Sequence, residues 1–333
     1  MGKHRIPFFT LLISFLAVLQ SAPAFAAVIY VNGAATGTGD GSSWTDAVTT
    51  IPAAITIAVA GDELWIAKGA YTGTSSPIIT MKDGVSLYGG FLGTETARTQ
   101  RNPAVHTTTI DGADTYACVV GASNAALDGF IVQNGRQSTG AGMYNNGCTA
   151  LTIANCTFSG NRANSGSDHA RGGAIYSSSS TLTVTQCSFT GNVAETDSLY
   201  EANGGALYND HSPLTLTDCS FSGNTAENLT DYSSGGAIYN YFSDSGIYNN
   251  CVFMNNKSTS GMTTAQGGAI RSLSSTYDVV NCIFVGNSAA GLSSSVGGAV
   301  SIITSSPRFI NCTFTRNSAS GGTGAAGAFY CDS

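Results

Sequence analysis

Gly172-Gly173-Ala174-Ile175-Tyr176 and, just downstream, Cys187-Ser188-Phe189-Thr190-Gly191-Asn192 decide the fold, because both return at a fixed interval. The first returns as Gly204-Gly205-Ala206-Leu207-Tyr208, Gly235-Gly236-Ala237-Ile238-Tyr239, Gly267-Gly268-Ala269-Ile270 and Gly297-Gly298-Ala299-Val300, at steps of 32, 31, 32 and 30 residues. Looser copies are Gly140-Ala141-Gly142-Met143-Tyr144 and Ala326-Gly327-Ala328-Phe329-Tyr330. The second pattern is Cys, any residue, Phe, two residues, Asn. Its copies are Cys156/Phe158/Asn161, Cys187/Phe189/Asn192, Cys219/Phe221/Asn224, Cys251/Phe253/Asn256, Cys282/Phe284/Asn287 and Cys312/Phe314/Asn317. Self-similarity at such a period marks a solenoid, which grows by adding coils.

The local pattern predicts strands. Third and fifth upstream of the Cys stand Val184 and Leu182, Leu216 and Leu214, Ile153 and Leu151, with neighbours that are mostly Thr. That period-two alternation buries one face of a strand. From Val184 to Cys187 the inward spacing stretches by one residue, so the chain must bend there. The residue before each Cys is Asn155, Gln186, Asp218, Asn250, Asn281 or Asn311. Asn and Asp tolerate left-handed backbone angles and suit a tight corner. Short strands, Asn corners and Gly-Gly turns describe an all-β fold, a single-stranded right-handed parallel β-helix. Its coils pair about 4.8 Å apart, stacking Cys on Cys, Phe on Phe and Asn on Asn.

Residues 1–26 read as a secretory signal peptide. Lys3 and Arg5 start it, a short apolar run from Ile6 to Leu19 follows, and Ala24-Phe25-Ala26 offers a cleavage site. Residues 27–106 read as an N-terminal cap and first coils, and 107–333 as the repeats. In the cap, Thr45 or Asp46 is expected to start a helix whose apolar positions include Ile51, Ala54, Ile55 and Ala58, with Pro52 awkwardly placed. Strands are expected at Glu63 to Ala67, Gly84 to Tyr88 and Leu127 to Val132, with Trp44 and Trp65 in the core of the cap. The repeat stops partway at Ser333, so a further coil, an anchor or a translocator is expected beyond this chain.

Composition narrows the partners. The net charge is −7, and −9 without Lys3 and Arg5. An acidic chain without clustered Lys and Arg is not a nucleic-acid binder. After the leader no run is apolar enough to span a membrane as a helix.

The alternation of Gly-Gly-Ala-Ile with Phe-x-x-Asn resembles the repeats of polymorphic outer membrane proteins, from Gly140 to Tyr330. Asp40-Gly41-Ser42-Ser43-Trp44, the stretch Gly61 to Tyr71 and Tyr88-Gly89-Gly90-Phe91 are similar to the start of bacterial pectin-lyase-like surface proteins. The resemblance implies an exported β-helix at the cell surface, in the outer membrane or secreted, whose repeats serve adhesion to a host or environmental surface ligand or glycan. The chain departs from that family in carrying no barrel or sorting domain after the repeats. Polyuronate lyases and hydrolases of this fold need an acidic calcium cluster or paired carboxylates. Here Asp210 and Asp218 stand alone in their ladders, and no catalytic residue, metal ligand or resident cofactor is assigned. Adhesion or ligand binding is therefore the first reading and a carbohydrate-active enzyme the alternative.

The remaining candidates gather in the loops between each Asn and the next Gly-Gly: Asp168, His169, Glu195, Asp197, Tyr200, Glu201, Glu227, Asp231 and Tyr232. These loops are expected to emerge on one side, as a solvated face or as a site for a glycan or calcium. The six ladder cysteines are expected to be reduced wall residues. Among Cys118, Cys148 and Cys331, one pair is free to be oxidised.

Overall fold

A computed structural model describes residues 26–332, and within them the chain winds through five parallel sheets. The coil that begins at Ile175 shows the order. Ile175–Ser178 lies in a tyrosine sheet, Leu182–Thr185 in a leucine sheet, Ser188–Thr190 in a phenylalanine sheet, Val193–Thr196 in an alanine sheet and Ala202–Asn203 in a rim sheet. Leu207–Asp210 then re-enters the tyrosine sheet one coil further on. The leucine sheet, with ten strands, counts the turns. The pairings are parallel and repeat residue for residue: Leu182 on Leu214, Phe189 on Phe221, Tyr176 on Tyr208. The fold is the expected right-handed parallel β-helix. The stretch read as a signal peptide lies, apart from Ala26, outside the described residues.

Register follows from what each coil must bury. Phe158, Phe189, Phe221, Phe253 and Phe284 are fully buried. Their rings, together with Phe314, stack nearly parallel at centroid spacings of 4.6 to 5.2 Å. A slip of one residue would turn that whole column outward. Each Phe buried contributes about 1.5–3 kcal/mol. The corners behave as the residue types suggest. Asn155, Gln186, Asp218, Asn250, Asn281 and Asn311 all have φ between 50° and 54°. Gly172 is left-handed at φ 62°, and a Cβ there would collide with the carbonyl oxygen of Ile175. Gly173 lies so close to the next coil that a side chain would strike the Gly205 carbonyl. Only glycine fits either place.

The asparagine column is a hydrogen-bonded rod inside the solenoid. Asn192 Nδ2 donates to Phe158 O at 2.9 Å and to Asn224 Oδ1 at 3.0 Å. The Asn192 backbone N–H also donates to Asn224 Oδ1, at 3.0 Å. Asn161, Asn224, Asn256 and Asn287 repeat this arrangement. A buried amide is tolerated because its donors and acceptor are all used.

Asn317 departs from the column it was read into. The sequence pattern makes it a sixth equivalent copy, but the structure gives it only half of the arrangement. Its Oδ1 accepts from the Asn287 N–H at 2.9 Å and from Asn287 Nδ2 at 3.0 Å, and its own Nδ2 donates to Phe284 O at 2.9 Å. No further asparagine among the described residues accepts from Asn317 in turn, and it is half-buried where Asn161 to Asn287 are fully buried. The reason is its place in the last described coil. Each amide in this column is covered and completed by the coil after it, and Cys312 and Phe314 of the same coil are half-buried for the same reason.

A second column, of serines, was not read from the sequence. Ser180, Ser212 and Ser243 N–H groups donate to Ser212, Ser243 and Ser275 Oγ at 2.9 to 3.2 Å. Cys148 heads it, donating through its N–H to Ser180 Oγ at 3.0 Å.

Several expectations for the cap change. The helix runs over Ile51–Ile57 and its cap is Thr50, whose Oγ1 accepts from Ala53 N at 3.4 Å. Asp46 instead ties down the Thr38 N–H and Ser43 in the preceding turn. Pro52 sits in the first helical turn, where a missing N–H costs nothing. Ile51, Ala54, Ile55 and Ala58 are buried as read. Trp65 is buried, as read for the core of the cap, and Trp44 is half-buried, but both belong to an aromatic cluster outside the solenoid's inner core. Trp65 shares its register with Tyr30 and Tyr88 on the outer face of the leucine sheet, where it stacks on Phe91 at 4.9 Å. Trp44 closes this outer cluster and donates to Glu95 O at 2.8 Å. The strand read as Leu127 to Val132 is two, Ala126–Asp128 and Phe130–Gln133, bent at Gly129. The one read as Gly84 to Tyr88 runs over Ser86–Phe91.

All nine cysteines are free. Cys156, Cys187, Cys219, Cys251 and Cys282 line the interior, Cys312 is half-buried, and Cys331 is exposed. Cys118 and Cys148 are buried, and no disulfide joins them to each other or to Cys331.

Two outcomes test this interior. Alkylation of the native protein should reach Cys331 quickly and Cys312 next, leaving the five interior ladder thiols until denaturant is added; mass spectrometry after timed labelling reads the order. Asn224→Ala should lower unfolding free energy by about 3 kcal/mol, since it strips partners from Asn192, Phe189 and Asn256 at once, measured by urea denaturation.

Candidate functional site

The alternation that sends Ile175 inward sends Tyr176 outward, and the same holds in every coil with a Tyr at that place. Tyr144, Tyr176, Tyr208 and Tyr239 form an external column with ring centroids 5.3, 5.5 and 5.1 Å apart and planes within 11° of parallel. Arg271 takes the next position, in register with Tyr239. The ring faces are spent on one another, and Tyr208 and Tyr239 are only 5% and 6% exposed. What remains for a ligand is a row of ring edges and hydroxyls.

Two further columns flank this row. On one side stand Asn146, Ser178, Asp210, Tyr241 and Leu273, two residues along the same strands. On the other lie the outward residues of the rim sheet, Arg171, Asn203, Ser234 and Gln266. Between them runs a groove made of two concavities that meet at Arg171. One, of about 420 Å³, is lined by Pro77, Gln137, Ser138, Thr139, Tyr144 and Tyr176. The other, of about 380 Å³, is lined by His169, Glu201, Tyr208, Asp210, Tyr239 and Tyr241. Asp210 Oδ1 lies 2.6 Å from His211 Nδ1, and Ser178 Oγ donates to Asp210 Oδ2 at 3.3 Å. Glu201 accepts from Asn203 Nδ2 at 2.9 Å. Neither Asp210 nor Glu201 is paired with an arginine or lysine among the described residues.

The loop residues singled out from the sequence divide between two flanks. His169 and Glu201 face the tyrosine groove. Glu195 and Glu227 are not loop residues. They pair in register within the alanine sheet and, with Asp197, line a separate concavity of about 470 Å³. The Glu195 charge is already matched there, by Arg162 at 2.5 Å and by Asn164 Nδ2 at 2.6 Å. Asp168 accepts from the His169 N–H, and Asp231 donates its N–H to Asn228 Oδ1, so both shape their own turns. Tyr200 and Tyr232 are exposed at the loop tips, with Tyr200 edge-on to His169. Asp210 stands between Ser178 and Tyr241 in its column, as read, and Asp218 accepts from Asn250 Nδ2 at 3.2 Å in the column of corners. Among the described residues, no three His, Cys, Asp or Glu side chains converge as metal ligands would.

A wider concavity of about 690 Å³ lies under residues 98–104. Its arginines are engaged: Arg98 with Glu63 at 2.5 Å and Arg101 with Asp128 at 2.6 Å, both over the Tyr88 ring. That region fastens a loop to the coils. The tyrosine groove differs in that its arginine, Arg171, is not engaged by any acid among the described residues.

Burial pushes the Tyr239 phenol up to about 12, and Tyr176 and Tyr208 upward as well. These three hydroxyls therefore stay protonated donors at neutral pH. An unfolded tyrosine ionises near pH 10. A phenol raised in the folded state stabilises fully below that pH, and the benefit is lost as pH rises toward 12. Urea midpoints should fall between pH 10 and 12, and Tyr239→Phe should remove about 1 kcal/mol of that fall at pH 11.

Comparison with known proteins gives three findings. The sequence model of DUF1565, described as a protein of unknown function, matches residues 31–305. No curated protein matches the chain. A solved structure of a rhamnogalacturonan lyase aligns with 88% of this chain and 74% of its own, at 14% identity and a TM-score of 0.37. No helix among the described residues is long and apolar enough to cross a membrane.

Proposed function

Since this chain belongs to the DUF1565 family, whose description assigns no activity, we propose a function from its surface: an exported β-helix protein that adheres to a glycan through the tyrosine groove. One observation carries the reading. The groove runs along several coils and repeats its hydroxyl donors once per coil, about every 4.8 Å. A site of that shape suits an extended, hydroxylated chain better than a compact ligand. Tyrosine is well matched to such a role, with an apolar body and a polar tip. The likeness of the repeats to those of polymorphic outer membrane proteins, and the leader-like residues 1–26, support export to the surface. Binding needs only displayed groups, whereas catalysis needs a converged set.

A second reading has an observation of its own. Glu201 and Asp210 line the same half of the groove, and two carboxylates flanking a sugar chain are what glycoside hydrolysis uses.

Calorimetry of the chain from Ala27 onward against neutral and acidic polysaccharides tests the first reading. Tyr208→Phe with Tyr239→Phe keeps the ring stack and deletes two hydroxyls. It should weaken binding roughly tenfold or more, at about 1 kcal/mol per hydrogen bond. Absence of glycan binding, or binding indifferent to the double change, would overturn it. Release of reducing ends that Asp210→Asn or Glu201→Gln abolishes would put the enzyme reading first.

A further inference from the structure

Among the described residues, Arg171 is the one charged residue in the outward column of the rim sheet, where later coils place Asn203, Ser234, Gln266 and Val296. It lines both halves of the groove. Its guanidinium lies 5.4 Å from the centre of the Tyr208 ring, a cation–π contact that holds the fork in place. Its Nε is buried and has no hydrogen-bond partner among the described residues. No carboxylate there lies within 4.0 Å of it, although Glu201 and Asp210 share its concavity. Arg98, Arg101, Arg162 and Arg308, by contrast, each have an acid of their own. Arg271, next on the tyrosine column, is 5% exposed and donates to Ser272 O, so it is sealed beneath the surface.

A partly buried guanidinium with open donors matches the two oxygens of a carboxylate or sulfate in a fixed geometry. We propose that Arg171 is an anion subsite that reads one acidic substituent on the bound glycan. This rests on the groove being the glycan site. The charges around it set the class further. On one side the groove is uncharged, lined by Gln137, Ser138, Thr139, Tyr144 and Tyr176. On the other it carries Glu201 and Asp210. A chain charged at every unit would place further anions against those two carboxylates and be repelled. The ligand selected is a sparsely charged glycan, with its acidic group over Arg171 and uncharged units along the flanks.

The test uses four probes on the chain from Ala27 onward: a neutral oligosaccharide with one terminal uronic acid, the same molecule with its carboxyl reduced to an alcohol, the same backbone with one sulfate ester, and a uronic acid oligomer of equal length. The single-acid probe should bind at least tenfold tighter than its reduced form and tighter than the fully charged oligomer. Comparison with the sulfate ester decides which anion is read. Arg171→Ala and the polar Arg171→Gln should erase the tenfold preference, so that the acid and its reduced form bind alike, with near-UV circular dichroism confirming the tyrosine stack. If the reduced form binds but the acid adds nothing, or the preference survives both substitutions, the subsite is wrong and the groove reading stands. If no probe binds, both are wrong.

Discussion

Each coil is held to the next by parallel backbone pairing in strict register, and everything else in this molecule is arranged around that constraint. Parallel rungs place equivalent residues directly over one another, so a side chain chosen once must be acceptable to its own copy above and below. Phenylalanine meets this by stacking, with the Phe189 and Phe221 rings nearly parallel at 4.6 Å. Asparagine meets it by being donor and acceptor at once, so that Asn192 gives to Asn224 what Asn161 gives to Asn192. Serine meets it with hydroxyl and backbone together: Ser212 Oγ accepts from the Ser180 N–H, and the Ser212 N–H donates to Ser243 Oγ. A charged residue in such an inward column would face its like at each rung, and the phenylalanine, asparagine and serine columns accordingly hold none among the described residues.

The outside inherits this regularity without its restrictions. Where the inward partner is Met, Ile or Leu, the adjacent outward position is free to hold Tyr, and four consecutive coils do so. Where the outward column varies, local chemistry appears: Asp210 between Ser178 and Tyr241, or Arg171 between Thr139 and Asn203. These departures from repetition sit side by side because the rim and tyrosine sheets are joined by the Gly-Gly turn. Gly172 and Gly204 allow the tight reversal that brings the two columns to the same groove. The scaffold is repetitive and the site is made of its exceptions.

The sequence by itself determined the repeat, the period, the cysteine, phenylalanine and asparagine columns and the left-handed corners before each Cys. Those depend on neighbours in the chain and on copies one period away, and both are visible in one dimension. Asn155 and Gln186 could be placed at corners from residue type alone, and φ values near 50° agree. A period makes every copy look alike, however, and Asn317 shows what it omits: a copy is buried and fully bonded only where another coil lies over it. The outward phase of the tyrosines was visible too, since Tyr176 follows an inward Ile175. Its meaning was not, because a stacked outer column becomes a groove only if something rises beside it. The tertiary structure decided that. It set the rim residue Arg171 and the loop residues His169 and Glu201 against the column, and turned Glu195 and Glu227 to another flank. It also covered Trp65, and half-covered Trp44, with an aromatic cluster on the outer face of the leucine sheet and not with the inner core. Hydrophobicity says that a residue will be covered; only the path of the loops says by what, because loop conformation depends on contacts that no period encodes.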